Sequence, residues 1–269
     1  MTEPRGGDLP SVAHPAYGRR RDVADVASVW LANNPSAMTL EGTNTWVLRA
    51  PGATGRVVVD PGPDDEEHLR RVGEEGPVEL VLLTHGHHDH SAGLARFADL
   101  VGAPSAAIDP RWSSGEPLVD GAVLDVAGLR LEVLHTPGHT DDSACFLVQG
   151  GAGPVVLTGD TVLGRGTTVL TGSLRDYLTT LRGLARVPAG TRLLPGHGAE
   201  LPDAAATARD YLAHRERRLD QVRAARARLG ATATPVEVVA AVYPDLDPAL
   251  SFAAEQSVRA QLAYLDEEG

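Results

Sequence analysis

The segment from Leu80 to Leu94 constrains the fold more than any other part of this chain. It begins with an uninterrupted apolar run, LVLL, which predicts a buried strand, and it ends in the first residues of a predicted helix. Between them lies a dense group of possible metal ligands: His85, His87, Asp89 and His90. Side chains at positions i and i+2 of an extended chain point the same way, so the first two histidines can bind one ion while the last two ligands reach a second. A surface histidine tract would not need the strand before it, and we expect only His88 to face solvent.

Length and charge narrow the classes of protein that fit this segment. The chain has 269 residues, 42% of them hydrophobic, which is enough for one large α/β domain or for a core domain with a small addition. A net charge of −12 argues against a surface that is basic overall, as a general nucleic-acid or membrane binder would need. The sequence shows neither an export signal nor an apolar run of membrane-spanning length, so we expect a cytoplasmic protein with no membrane partner.

Short β-branched runs separated by Gly, Pro and Asp turns predict a domain over residues 23–202, after an N-terminal extension over residues 1–22. The runs include one predicted strand from Val23 to Trp30. Most neighbouring runs are joined by turns typical of hairpins, so the sheets should be largely antiparallel. Amphipathic segments predict helices over residues 66–72, 92–100 and 173–187. Periodicity alone therefore proposes a mixed α/β domain in which helices cover sheets.

The chain beyond this domain has a helical pattern, which predicts a smaller domain over residues 203–269. Its helices should run from Asp203 to Leu229, from Thr234–Pro235 onward, and from about Pro248 to Leu265. The first helix carries seven arginines: Arg209, Arg215, Arg217, Arg218, Arg223, Arg226 and Arg228. Such a helix could follow the phosphates of a nucleic acid, or it could be an exposed face whose charges are solvated.

Two metal sites need more ligands than one loop supplies, because zinc takes about four ligands and a catalytic ion keeps one position for water. Three other strand ends offer suitable residues beside glycines: His139 in TPGHT, Asp160 in TGD and His197 in PGHG. His135, four residues before His139, is the competing candidate. We expect it to support a ligand rather than to bind metal.

Taken in order, the motifs HGHHDH, TPGHT, TGD and PGHG resemble those of the metallo-β-lactamase superfamily. The resemblance implies a four-layer αββα sandwich and a centre with two Zn²⁺ ions, for which Mn²⁺ or Fe are alternatives. It implies that His85, His87 and His139 bind one ion, that Asp89, His90 and His197 bind the other, and that Asp160 bridges them. Asp60, which ends the strand RVVVD, resembles the first aspartate of the superfamily and should support the metal loop without binding metal.

Two adjacent ions would activate a shared water. They lower its pKa to about 7 and hold the metal-bound hydroxide against a carbonyl carbon or a phosphorus. Asp89 is placed to orient or deprotonate that water, so we expect it to be catalytic as well as a ligand. A protein nucleophile is not required.

Further motifs, NNPSAMTLEGTNTWVL, GDTVLGRGTTVL and YLTTL, resemble the beta-lactamase-like protein 2 group, and with the HRERR helix the similarity covers nearly the whole chain. The resemblance implies a winged-helix-like appendix and, from the best-known member, endonuclease action on single-stranded RNA; other relatives are thioester hydrolases. By residue match, the substrate cleft would be lined by Thr43, Asn44, Gly166, Thr167 and Thr168. Ordinary turn chemistry is the alternative explanation for these residue types.

We therefore expect a phosphodiesterase acting on single-stranded RNA, with a thioester hydrolase of the acyl-thioesterase or glyoxalase II type as the alternative. The chain has no lysine, whereas glyoxalase II uses lysines to bind glutathione. A β-lactamase and a non-catalytic nucleic-acid-binding regulator rank lower, the regulator because the metal motifs are complete. The expected partner is thus RNA or a small molecule, and the sequence leaves the oligomeric state open, a homodimer included.

Overall fold

The computed structural model describes residues 17–268, which form two β-sheets and seven α-helices. The first sheet contains six strands hydrogen-bonded in chain order: β1 (Arg20–Ala24), β2 (Ala27–Leu31), β3 (Asn44–Leu48), β4 (Arg56–Val59), β5 (Val78–Leu82) and β6 (Ser105–Ala106). The second sheet contains five, again each beside the next: β7 (Val123–Val126), β8 (Leu129–His135), β9 (Ala144–Gln149), β10 (Val155–Gly159) and β11 (Arg192–Pro195). Only the pairs β4–β5, β5–β6 and β10–β11 are parallel, so the prediction of largely antiparallel sheets is confirmed.

The N-terminal edge of the first sheet differs from the sequence prediction. The single strand predicted from Val23 to Trp30 is wrong: β1 and β2 form a hairpin in which Arg20 lies opposite Trp30. The chain turns at Asp25, whose carboxylate accepts a 2.6 Å hydrogen bond from the backbone N–H of Ala152. A polar side chain anchored in this way interrupts an otherwise apolar run. Of the predicted N-terminal extension, residues 1–16 lie outside the described part of the chain.

Helices cover the outer face of each sheet. Helices α1 (Glu66–Gly73) and α3 (Leu94–Val101) pack on the first sheet, and α4 (Leu174–Leu184) packs on the second. A one-turn helix, α2 (His88–Ser91), precedes α3, which begins after Gly93 and so starts two residues later than the helix predicted over residues 92–100. Gly93 approaches the neighbouring backbone so closely that a Cβ there would lie 2.8 Å from the carbonyl oxygen of Pro63. The close approach requires glycine and separates the two helices.

Three apolar layers hold these elements together and confirm the four-layer αββα arrangement. The middle layer lies between the sheets and contains side chains from both, such as Trp46 and Leu82 from the first and Phe146 and Leu157 from the second. The outer layers join each sheet to its helices. Packing the two sheets face to face aligns their strand ends along one edge, where the functional loops begin.

The helical appendix, residues 204–268, follows the second sheet. It contains α5 (Ala204–Leu229), α6 (Pro235–Val242) and α7 (Ser251–Glu268). The second helix begins at Pro235 after Thr234, as predicted, and Thr234 and Glu237 bond reciprocally in a capping box. The third helix starts later than Pro248, because a short 3₁₀ helix capped by Asp247 comes first. No helix among the described residues is long and apolar enough to span a bilayer.

Candidate metal centre

Four strand ends supply the side chains of the centre. His85 and His87 lie in the loop after β5, and α2 continues this loop with Asp89 and His90. His139, Asp160 and His197 follow β8, β10 and β11. The structure thus brings together all seven residues that the sequence motifs predicted as ligands, although they are spread over more than a hundred positions of the chain.

The first group consists of three imidazoles. Nδ1 of His87 lies 3.1 Å from Nε2 of His85 and 2.9 Å from Nε2 of His139. Only one nitrogen of a neutral imidazole carries a proton, so three ring nitrogens that face one another leave lone pairs directed at a common point. This arrangement suits a cation bound by nitrogen ligands.

The second group combines a carboxylate with two imidazoles. Oδ2 of Asp89 lies 3.1 Å from Nε2 of His197 and 3.4 Å from Nε2 of His90. Asp160 lies between the two groups: its Oδ2 is 3.3 Å from Nε2 of His197 and 3.8 Å from Nε2 of His139 in the first group. Its position matches the bridging role that the motifs imply.

Electrostatics divide the imidazoles into two kinds. Burial lowers the pKa of His85 well below its usual range and that of His139 to about 4, so both are neutral and can donate a lone pair to a cation. Burial also acts to lower the pKa of His90 and His197. Neighbouring carboxylates together outweigh burial there: Asp160 and Asp60 raise the pKa of His90 well above normal, and Asp160 and Asp89 raise that of His197 to about 9.

Both carboxylates of the centre are ionised at neutral pH. Burial acts to raise the pKa of Asp160, but the imidazoles of His197 and His90 outweigh it and hold that pKa well below its usual range. The pKa of Asp89 falls to about 2, because its hydrogen bond to His197 and the charge of His90 outweigh burial in the same way. These carboxylates attract positive charge, and together with imidazoles that lose a proton when a metal binds they form a donor set suited to divalent cations.

One buried oxygen atom also indicates that the centre suits a metal ion. Oδ1 of Asp160 is buried and has no hydrogen-bond partner within residues 17–268. A Cβ at Gly196, next to His197, would lie 2.5 Å from this oxygen and 2.8 Å from the ring of His90. Glycine therefore keeps open the space beside the oxygen, and a buried carboxylate oxygen without a donor is compensated when it ligates a cation.

Each imidazole whose Nε2 faces the centre has a partner on Nδ1. The partners are Asp60 for His90 at 2.8 Å, the Val169 carbonyl for His139 at 2.7 Å, the Gly42 carbonyl for His197 at 3.0 Å and the Thr84 hydroxyl for His85 at 3.1 Å. Such partners fix the ring orientation and keep Nε2 available for metal. Asp60 also accepts bonds from the backbone N–H and the hydroxyl of Thr84, as expected for a residue that supports the loop. No sequence signal indicated the two carbonyl partners, because every residue has a carbonyl.

Three predicted roles need correction. His135 is exposed and contacts the Asp141 carbonyl, and no hydrogen bond of the described residues joins it to a ligand. Thr43 and Asn44 are at most 1% exposed and are not among the residues that line the cavity beside the centre. Instead, the Thr43 hydroxyl lies 3.4 Å from Oδ2 of Asp89, and the Asn44 amide bonds to the backbone on both sides of His197. They are buried because the loops around the ligands need polar side chains to satisfy backbone groups.

A cavity of about 460 Å³ opens beside the centre, with His139 and Asp160 at its wall. Three predicted substrate residues, Gly166, Thr167 and Thr168, line it. The opposite wall comes from the appendix, through α5 and the segment 243–257. The sequence did not indicate that the appendix contributes to this cavity.

Family models agree with this architecture. The model described as the metallo-beta-lactamase superfamily matches residues 38–197, and that of the beta-lactamase associated winged helix domain matches residues 234–269. The chain belongs to the metallo-beta-lactamase superfamily. It is a metal-dependent hydrolase of that superfamily, with a dinuclear site formed by histidines and aspartates.

Individual relatives place the chain more closely. The beta-lactamase-like protein 2 homolog of Drosophila melanogaster is 30% identical over 264 residues, 89% of this chain and 87% of that protein. The atrochrysone carboxyl ACP thioesterase of Aspergillus fumigatus is 35% identical over 202 residues, 71% of this chain, and the chain spans 62% of that protein. The crystal structure of a metallo-beta-lactamase family protein from Thermus thermophilus has the same fold, with a TM-score of 0.74 at 24% identity over 90% of this chain and 94% of the other. The resemblance to the beta-lactamase-like protein 2 group is confirmed.

Proposed function

We propose that the protein hydrolyses acyl thioesters with two Zn²⁺ ions, and the observation that carries this proposal is the apolar cavity beside the metal centre. Its volume, about 460 Å³, lies in the usual range for small-molecule sites. Its apolar side chains come from both domains: Met38, Leu40, Leu163, Val169, Leu246 and Leu250. An acyl chain fits such walls, and its carbonyl would then lie near His139 and Asp160. The Aspergillus relative that is named an ACP thioesterase supports the same class of substrate.

The residues of the centre have separate roles in the proposed hydrolysis. Two bound cations would supply a water of lowered pKa and would polarise the carbonyl oxygen. Asp89 is the most accessible of the acidic and histidine ligands in the second group: 27% of its side chain is exposed, against 1% for His197. It is therefore the carboxylate that a solvent-derived water reaches, and in its ionised form it accepts a hydrogen bond that orients that water. Thr43 and His197 hold its Oδ2 in place.

Cleavage of single-stranded RNA is the second candidate. Arg165 and Arg218 lie at the cavity, and the guanidinium of Arg218 is 4.6 Å from the centre of the Tyr243 ring. Cations beside an aromatic ring are suited to phosphates and stacked bases. The name of the beta-lactamase-like protein 2 relative indicates neither substrate.

The arginines of α5 favour the thioester. Five of the seven bond to groups of this chain: Arg209, Arg215, Arg218, Arg223 and Arg226. Their donors are thus at least partly occupied, which supports the solvated or structural interpretation of this helix over phosphate binding. We therefore rank the thioester first, in the reverse of the order that the sequence favours.

A panel of substrates tests the proposal. Zinc- and manganese-loaded protein is incubated with acyl thioesters of short and long chains, single-stranded RNA and nitrocefin, each with a chelated sample and with Asp89→Ala. We expect hydrolysis of thioesters that chelation stops and that the variant lacks. Cleavage of RNA without thioester turnover would overturn the proposal in favour of the second candidate.

A further inference from the structure

The appendix directs one buried arginine side chain, that of Arg215, towards the metal-binding domain. Arg215 of α5 is 2% exposed, and its Nε has no hydrogen-bond partner within residues 17–268. The neighbouring arginines of this helix, such as Arg223 and Arg226, form ion pairs at the surface instead. Burial of a guanidinium is costly unless its contacts compensate it, so the groups that it touches indicate why it is there.

The first contact of Arg215 leads to His139. Its Nη2 donates a hydrogen bond to the carbonyl oxygen of Thr168. The hydroxyl of Thr168 lies 3.1 Å from Nδ1 of His139, and the adjacent carbonyl, that of Val169, accepts the 2.7 Å bond from the same Nδ1. Arg215 therefore holds the residue whose hydroxyl contacts this imidazole, and the peptide that it bonds adjoins the one whose carbonyl orients the metal ligand.

The second contact leads to two of the four loops of the centre through Tyr177 of α4. The guanidinium carbon of Arg215 lies 5.2 Å from the centre of the Tyr177 ring, a cation–π distance. The Tyr177 hydroxyl donates a 2.7 Å bond to the carbonyl of Thr161, the residue after Asp160. The turn before His139 also packs on this tyrosine: Gly138 has a φ of +139°, and a Cβ there would lie 2.4 Å from the Tyr177 Cβ.

We propose that Arg215 is a positioning residue through which the helical appendix orients His139 and Asp160 for metal binding. One N–H group of its guanidinium holds the Thr168 carbonyl, while the guanidinium lies over the Tyr177 ring. Through these two contacts Arg215 fixes two of the four ligand loops, those of His139 and Asp160. A lysine or an apolar side chain cannot make both contacts, because only the planar guanidinium combines a directed donor with a stacking surface. The proposal rests on the metal-binding part of the proposed function and not on its substrate.

Metal affinity tests the proposal without any substrate. Zn²⁺ affinity is measured by competition with a chromophoric chelator for the full-length protein, Arg215→Met, Arg215→Lys and Thr168→Val. Arg217→Met is the matched control, because Arg217 is exposed on the same helix two residues away. The absorption spectrum of the Co²⁺-loaded proteins reports ligand geometry, and thermal unfolding reports stability separately.

We expect Arg215→Met to weaken the binding of one metal equivalent by about 10- to 100-fold, the usual effect of losing a group that orients a ligand. The Co²⁺ spectrum of this variant should change as well. Arg215→Lys and Thr168→Val should lose less Zn²⁺ affinity, and Arg217→Met should have the affinity and spectrum of the wild type. Wild-type affinity and spectrum in folded Arg215→Met, with only a lowered Tm, would show a purely structural role and overturn the proposal. If that variant does not fold, unchanged affinity in Arg215→Lys overturns it. A failed thioesterase assay leaves this result standing, since no substrate is present.

Discussion

The metal-binding domain and the helical appendix both concentrate charged residues, but they use them differently. In the metal centre, Asp89 and Asp160 converge with five histidines at the strand ends, and one buried oxygen has no donor within the described residues. In the appendix, charges pair at the surface: Arg226 with Asp266 at 2.5 Å and Arg223 with Glu268 at 3.3 Å. A cluster of charges thus indicates a binding site when its atoms converge on a common point, and a structural role when they pair two by two at the surface.

The largest expected effect on activity comes from substituting the residues that converge at the metal centre, compared with an exposed histidine of the same loop. His85→Ala or Asp89→Ala should lower kcat/KM for the substrate that the panel identifies by at least about 10²-fold, because each removes a ligand and Asp89 also orients the water. His88→Ala is the control, since His88 lies in the same loop and is exposed. Kinetics, bound-metal stoichiometry and far-UV CD are measured together. Near-normal turnover in both ligand variants would show that convergence does not identify the site.

The next effect tests whether the appendix contributes to substrate binding. Leu246 is partly buried and lines the cavity. In Leu246→Glu, a carboxylate replaces an apolar contact, so we expect kcat/KM for long acyl thioesters to fall about tenfold, which corresponds to the transfer of about two methylene groups. Turnover of acetyl thioesters should change little.

The matched control for that variant is Val236→Glu, a residue of α6 that is 61% exposed and does not line the cavity. Equal losses for short and long chains would place the effect of Leu246 on stability rather than on substrate binding. The appendix would then act only as a covering domain.

The sequence predicted the residues of the centre better than their supports. Spacing and residue type identified His139 as a candidate ligand, but they could not distinguish it from His135. The TPGHT motif made that distinction. Thr43 and Asn44 belong to an equally distinctive motif, yet they are buried, because a motif does not reveal whether a polar side chain faces a cleft or a backbone group. The carbonyl of Val169 carries no signal in any sequence.

The fold shows the same limit in the appendix. The periodicity of α5 predicted its length, since helix formation depends on local residues. It could not predict that Arg215 turns inward while Arg217 remains exposed, because that depends on where α4 packs. Likewise, the carboxylates that face Arg223 and Arg226 lie about forty residues further along the chain.

The smallest expected effect concerns these surface pairs. Arg226→Ala should lower the free energy of unfolding by less than about 1 kcal/mol, because ion pairs near the surface gain little over hydration. Val258→Ala is the comparison within the same appendix: Val258 is 0% exposed in a cluster with Val222 and Val238, and it loses two buried methyl groups, worth about 1.6 kcal/mol. Urea unfolding of both variants, followed by far-UV CD, gives the two values. If Arg226→Ala proved the more costly of the two, the charges of α5 would be what holds the appendix together, and the contrast between convergent and paired charges would fail.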